Sequence, residues 1–280
     1  MYLGKSSCVL LLVGIVLLHR QTHGAVIPSD MNDDTSDHTE EVLNQHLQQG
    51  DLAEEWSGQF EGDIVLSDLQ ENEFRKRSGV QLTSLVWPNG IVHYEIVEQD
   101  FTAAQILAIT NGMMDIQRVS CVRFQPRTPT TTDFIRITGS SSGCFSFVGR
   151  QTGAQQLNLQ PANPGTGCFR HGTILHELIH ALGFFHMQSS TNRDQYVTIR
   201  WDNVSPGAER NFAVYGADVV TNFGTQYDYG SLMHYSATAF SSNGQRTIEP
   251  RDPAAAIGQR VWFSEDDIWR IWAMYGCTSL

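Results

Sequence analysis

The sequence has no Cys-x-x-Cys pair, no second long apolar run and no excess of basic residues, and each absence removes a class of protein. Without Cys-x-x-Cys, a zinc site built from cysteines is disfavoured. Lys and Arg number 18 against 30 Asp and Glu, a net charge of −12. The basic face that nucleic-acid binding needs is therefore missing. The one apolar run, Cys8 to Leu18, is too short to span a bilayer comfortably, and no comparable run follows it. No membrane anchor is expected. Internal repeats and low-complexity tracts are also absent. What remains is a globular composition, 41% hydrophobic and 17% charged, in 280 residues. That length suits one large domain or two small ones.

The charge is not evenly spread. Ala25 to Arg77 carries 14 acidic and 3 basic residues, whereas Ser78 to Leu280 carries 16 and 13. Ahead of the acidic stretch, Lys5, the apolar run, and the small residues Thr22 and Gly24 before Ala25 read as a signal peptide. Arg75-Lys76-Arg77 closes the acidic stretch. In a secretory context this basic run reads as a processing site, with cleavage between Arg77 and Ser78 by a trypsin-like or dibasic-cutting protease. The expected organisation is residues 1–24 as signal peptide, 25–77 as an acidic propeptide and 78–280 as the mature domain, secreted to the extracellular space. Cys8 leaves with the signal. Cys121, Cys144, Cys168 and Cys277 remain, an even number in an oxidising compartment, so two disulfides are expected. Three pairings are possible, and spacing alone does not choose among them.

The local signals mix helix and strand. Glu40 to Leu52 is compatible with a short helix. After the turn signal at Trp87-Pro88-Asn89-Gly90, Ile91 to Val97 reads as a strand. Thr102 with Gln105 is a capping box that opens a helix to about Val119. Phe134 to Thr138 and Gln155 to Leu159 read as strands. Thr173 to Leu182 is a helix stopped by Gly183, and Ser264 begins another that Gly276 ends. Asn192 to Gly230 shows little periodicity. The order predicts a mixed α and β fold with two lobes around a cleft.

The chemistry is concentrated in His176-Glu177-Leu178-Ile179-His180-Ala181-Leu182-Gly183-Phe184-Phe185-His186. Residues four apart on a helix share a face, so His176 and His180 can present two imidazole nitrogens to one ion. Gly183 allows a left-handed turn, after which His186 can approach the same ion from another side. Three imidazoles with an open fourth position describe a catalytic zinc site rather than a closed structural one. Zinc there supplies Lewis acidity and an acidified water, and Glu177 is the candidate general base. His-Glu-x-x-His alone is a weak motif; the added glycine and third histidine make it specific. A binding protein that kept the zinc for structure alone would be marked by loss of Glu177 or of a ligand, and neither is lost.

With these residues in view, the chain resembles the astacin-family zinc metallopeptidases within the metzincins, over about Gly50 to Leu280. Ser231-Leu232-Met233-His234-Tyr235 is similar to the family's Met-turn. The resemblance implies that Met233 forms an apolar floor beneath the zinc. It also implies that Tyr235 is a movable fifth ligand that helps stabilise the transition state. Phe60-Glu61-Gly62-Asp63 resembles the family's propeptide switch, in which Asp63 would bind the zinc and hold the enzyme silent. The implied fold is α+β, a zincin/metzincin two-lobed catalytic domain. It has a twisted, mostly antiparallel-edged sheet plus helices above the cleft, and an irregular lower lobe with a C-terminal helix. The implied disulfides are Cys121 with Cys277 and Cys144 with Cys168, and Gly153 to Leu159 resembles the rim strand on which substrate pairs. The implied activity is a zinc endopeptidase acting as a monomer on protein or peptide substrates, with one Zn2+ per chain. Two departures stand out: Met187 replaces the glutamate that follows the third histidine in the family, and Ser189 to Asp194 differs from the family's usual arginine-bearing stretch, although Arg193 and Asp194 remain. No further module is expected after Cys277. Asn203-Val204-Ser205 is a glycosylation sequon followed by Pro206, so Asn203 is a possible glycan acceptor.

Overall fold

The computed structural model describes residues 53–55, 57–68, 70–71, 85–217 and 220–279. The signal, the segment 25–52, Arg77 and Ser78 lie outside them. A six-stranded sheet is built from β1 (Ile64–Val65), β2 (Ile91–Ile96), β3 (Arg123–Pro126), β4 (Phe134–Thr138), β5 (Cys144–Phe147) and β6 (Ala154–Leu159), in the order β1-β5-β6-β4-β2-β3. Helices α1 (Ala103–Val119) and α2 (His171–Leu182) pack on it. In the lower part of the molecule, β7 (Val197–Ile199) pairs antiparallel with β8 (Ile248–Pro250), and α3 (Glu265–Tyr275) follows them.

Two expectations about the sheet are corrected. Only β5 and β6 run antiparallel; the other neighbours, β1/β5, β6/β4, β4/β2 and β2/β3, are parallel. The parallel pairs follow from the long connections between them, since a tight hairpin cannot return a strand to the same direction. The second correction concerns the rim. The strand at Gly153 to Leu159 is interior, hydrogen-bonded to β4 on one side and β5 on the other. Beyond it lies β5, whose outer edge is covered by Ile64 and Val65 in parallel register with Ser146 and Phe147.

The core lies between the sheet and the two helices. Ile109, Met113 and Ile116 from α1 and Ile174, Leu175 and Leu178 from α2 meet Val92, Ile135, Ile137, Leu157 and Leu159. Burial of this kind contributes about 1.5–3 kcal/mol per large aliphatic side chain. From Gly172 to Leu182 every residue of α2 is buried, so its polar side chains have no recourse to solvent. Gly172 permits the closest approach: a Cβ there would stand 2.1 Å from the Arg260 carbonyl carbon.

The end of α2 is tied down carbonyl by carbonyl. Helix ends leave four carbonyls without intrahelical partners. Here Ile179 O accepts from Phe184 N and His180 O from Gly183 N and Gly149 N. Ala181 O accepts from Trp87 Nε1 at 2.8 Å and Leu182 O from the Tyr275 hydroxyl at 2.8 Å. Gly183 takes φ 116°, a conformation that a side chain would oppose. Trp272 Nε1 likewise caps Val119 O at the end of α1. The disulfides join Cys121 to Cys277, fastening α3 to the end of α1, and Cys144 to Cys168, fastening β5 to the turn before α2. A second apolar cluster, including Val197, Ile199, Phe212, Tyr227 and Ile248, forms the core of the lower part.

Candidate metal centre

Helix α2 puts His176 and His180 one turn apart, and the turn at Gly183 brings His186 back to them. The Nε2 atoms of His180 and His176 are 3.1 Å apart, and those of His180 and His186 3.2 Å. Asp63 completes the group: its Oδ2 is 3.0 Å from His176 Nε2, and its Oδ1 is 3.5 Å from His180 Nε2 and 3.2 Å from His186 Nε2. All four side chains are buried, and their candidate ligand atoms lie within 4.8 Å of one another.

The opposite ring nitrogens fix the tautomers. His176 Nδ1 donates to Leu232 O at 2.9 Å, and His180 Nδ1 to Phe184 O at 2.7 Å. Because carbonyls only accept, these rings turn unprotonated Nε2 lone pairs inward. His186 Nδ1 donates to Glu61 Oε2 at 2.7 Å. Lone pairs facing each other at 3.1 Å repel unless a cation lies between them. A tetrahedral zinc bound at about 2.0–2.1 Å separates its ligand atoms by roughly 3.3 Å, as these atoms are separated here. The donor set therefore fits zinc, with the outer nitrogens oriented by carbonyls and a carboxylate as metal-bound histidines require.

The electrostatics carry the same demand. Burial, together with the Arg260 charge, pulls His176 down to about 4. Burial alone would also lower His186, but Asp63 and Glu61 override it and raise it to about 9. Burial opposes the ionised form of Asp63, yet the three histidines hold its pKa well below the ordinary carboxylate value.

Glu177 is fully buried beside the centre, and neither carboxylate oxygen has a hydrogen-bond partner. Burial first, then the charges of Asp63 and Glu54, push its pKa well up, with Arg260 opposing. A buried carboxylate with no protein hydrogen-bond partner beside the three histidines is a candidate general base. The turn at Ser231 to Tyr235 supports the centre from below. Asp267, at the start of α3, accepts from Ser231 Oγ at 2.7 Å and Leu232 N at 2.8 Å, so the Leu232 carbonyl is held against His176. Met233 is buried and its carbonyl accepts from Met187 N. The Tyr235 hydroxyl donates to Glu61 O at 2.5 Å, and its ring centroid is 4.6 Å from that of His186.

Two features had no mark in the sequence. Glu54 is buried in a forked ion pair with Arg260, with Nη2 to Oε2 at 2.6 Å, and also accepts from Thr173 Oγ1 at 2.9 Å. Burial would raise its pKa, but Arg260 brings it to about 2. Glu61 is likewise buried, bound by His186, Ser189 and Tyr215. Glu54 stands among many other acids with nothing local to distinguish it; Glu61 lies inside the Phe60–Asp63 motif, but its own contacts are not marked there. Away from the centre, Asn203 is half-buried, its Nδ2 donating to Arg246 O at 2.8 Å and its Oδ1 accepting from Asn243.

Residues 79–276 match the family model described as Astacin, a peptidase family. The chain is 39% identical over 232 residues to zinc metalloproteinase nas-13 of Caenorhabditis elegans, covering 78% of this chain and 50% of that protein. It is 39% identical over 227 residues to seminal metalloprotease 1 of Drosophila melanogaster, covering 79% and 88%. The chain spans half or less of the length of nas-13 and two further nematode relatives, nas-15 and nas-14. Among solved structures it is similar to high choriolytic enzyme 1, a hatching-enzyme zinc-protease of the medaka Oryzias latipes. The TM-score is 0.63 and the identity 38%, covering 70% of this chain and 96% of that one.

Proposed function

The chain belongs to the astacin family of peptidases, and from that premise we propose that it is a zinc-dependent endopeptidase, secreted as a latent precursor. The observation that carries the reading is three imidazole Nε2 atoms converging beside an unpartnered buried carboxylate, Glu177. His176, His180 and His186 hold one zinc, which when bound supplies Lewis acidity and an acidified water. Glu177 takes a proton during attack on the peptide carbonyl and returns it to the leaving amine. Tyr235, once freed from the Glu61 carbonyl, offers its hydroxyl to the developing oxyanion.

Latency comes from the segment carrying Asp63. Its carboxylate fills the fourth position among the histidines, and Ile64–Val65 cover the edge of β5. Cleavage between Arg77 and Ser78 by a trypsin-like or dibasic-cutting protease releases both. The exposed edge of β5 then accepts an extended protein substrate as an added strand. Among the described residues no helix is long and apolar enough to cross a membrane. The two disulfides suit an oxidising compartment. Asn203 is the candidate glycan acceptor, and the mature protein acts as a monomer.

The test is direct. Processed protein should carry about one zinc per chain and lose peptide hydrolysis to a chelator. Glu177→Gln should keep the zinc and lose roughly 10²–10⁴-fold in kcat. Undiminished hydrolysis by a zinc-loaded Glu177→Gln protein would remove Glu177 from the mechanism.

A further inference from the structure

Glu61 lies two residues before Asp63, and its side chain does something different. It points away from the three Nε2 atoms into a separate ring of donors. Oε2 accepts from His186 Nδ1 at 2.7 Å; Oε1 accepts from Ser189 Oγ at 3.0 Å and from the Tyr215 hydroxyl. Ser189 is fully buried, His186 is 2% exposed and Tyr215 6%. Three donors from three points of the chain thus surround both oxygens of one carboxylate.

The ring does not depend on Glu61 for its assembly. Tyr215 N donates to Ser189 O at 2.9 Å, and Ser189 N donates to His186 O at 3.2 Å. The Tyr215 ring packs edge-on against Phe185 at 5.5 Å. A metal on His186 Nε2 leaves Nδ1 a donor. When the segment holding Glu61 leaves, these hydroxyls and this N–H stay in place and lose that acceptor. Donors already held in place bind an anion without the cost of assembling the ring, and hydrogen bonds to an ionised acceptor are the strong ones, so a replacement carboxylate is favoured.

We propose that His186 Nδ1, Ser189 Oγ and Tyr215 OH form a carboxylate receptor adjoining the metal centre, filled by Glu61 in the precursor and by an acidic ligand after processing. The proposal rests on the reading that the segment is removed. The ligand chemistry is a single carboxylate, carried either by an Asp or Glu side chain of the bound substrate or by a small free carboxylate. Convergence of three donors on one group favours an anion over a bare cation, and a carboxylate over an amide, whose neutral hydrogen bonds are weaker.

The first experiment uses the full-length precursor, so its outcome is independent of catalysis. Glu61→Ala leaves a cavity of carboxylate size within the donor ring. Acetate, against chloride at equal ionic strength, should raise its Tm saturably, by roughly 3–5 °C at ten times the dissociation constant. The rise should vanish when Ser189→Ala and Tyr215→Phe are added. No acetate-specific rise in a folded Glu61→Ala precursor overturns the receptor. The second experiment uses the processed, zinc-loaded chain carrying Glu177→Gln, which binds without turnover. Peptides with Glu or Gln at each of the four positions on either side of the cut are titrated, with acetate as the free-carboxylate arm. An acidic preference of about tenfold or more at one position, lost in Ser189→Ala and in Tyr215→Phe at unchanged zinc content, assigns the receptor to substrate. Binding of acetate alone, lost in the same variants, assigns it to a free carboxylate. An acidic preference untouched by both variants belongs to another group such as Arg260, and without variant-sensitive acetate binding it overturns the proposal for the mature protein. Failure of the metallopeptidase reading would show separately, as absent zinc.

Discussion

Replacing Glu54 by Gln in the precursor should weaken it by an amount that two routes agree on. In the structure, Glu54 and Arg260 are 4% and 7% exposed, and Arg260 Nε and Nη2 reach both carboxylate oxygens at 2.6–3.0 Å. Removing one partner of a buried pair leaves an uncompensated charge and costs about 3–5 kcal/mol. The second route is protonation. Burial would raise Glu54, yet Arg260 moves its pKa from the ordinary 4.5 to about 2. A carboxylate depressed on folding contributes stability above its unfolded pKa and loses it as pH falls through the folded one. The window is therefore pH 4.5 down to 2, and the contribution is on the order of 3 kcal/mol. For a domain of this size, 1 kcal/mol moves Tm by about 2–4 °C, so Glu54→Gln should lower the precursor's Tm by roughly 6–12 °C at neutral pH. The difference between parent and variant should close as pH is taken from 4.5 to 2. Scanning calorimetry across that range measures both. A neutral-pH shift below about 2 °C would mean that Arg260 finds water or another acceptor when Glu54 is gone, and the ion pair would not hold the segment.

Two further predictions use the same supports. Asp63→Ala removes the carboxylate facing the three Nε2 atoms, so an uncleaved precursor should hydrolyse peptide at a measurable rate; a mutant precursor as silent as the parent would count against Asp63 as the latch. Because the histidines hold Asp63 low, the parent should stay latent in mild acid. Asp267→Asn loosens the Ser231–Leu232 turn and, through the Leu232 carbonyl, the His176 ring; zinc affinity of the processed protein should fall about 10–100-fold, measured by chelator competition, and unchanged affinity would show that the turn does not orient His176.

The parts of this protein legible in the sequence are those whose periodicity and capping are local. α1 opens at the Thr102–Gln105 capping box and α3 at Ser264, where Asp267 completes the box. Gly183 and Gly276 end their helices in left-handed conformations. The histidine spacing needs only a helix and one turn to become a convergent site. The rest depends on partners remote in sequence. β5 is four residues long, and its buried Cys144, Phe145 and Ser146 give no alternation to read. Which strand lies at the edge is a matter of pairing order, and local pattern does not encode it; hence Gly153–Leu159, plainly a strand, is an interior one. Glu54 and Glu61 are two of 14 acids in the acidic stretch, and the contacts that set them apart, among them Arg260 for Glu54 and His186, Ser189 and Tyr215 for Glu61, lie 125 to 206 positions away.

The acidic stretch also explains why one aspartate need not hold the cleft shut alone. Three of its carboxylates are buried in three receptors of distinct chemistry: Glu54 on a guanidinium, Asp63 on imidazole lone pairs that call for a metal, Glu61 on neutral donors. Between them Gly62 turns at φ 91°, where a Cβ would stand 2.9 Å from Phe240, so the chain can reverse and deliver Glu61 and Asp63 to different sites. Ordering the short segment costs conformational entropy, and the three contacts offset that cost jointly. Together they act as linked modules with high effective concentration. Cleavage after the segment would not break any of the three directly, nor separate them from one another; it would sever the covalent link to the rest of the chain, so that a dissociated segment is diluted away instead of rebinding at high effective concentration. Dissociation then follows as each released carboxylate is replaced by water or by substrate.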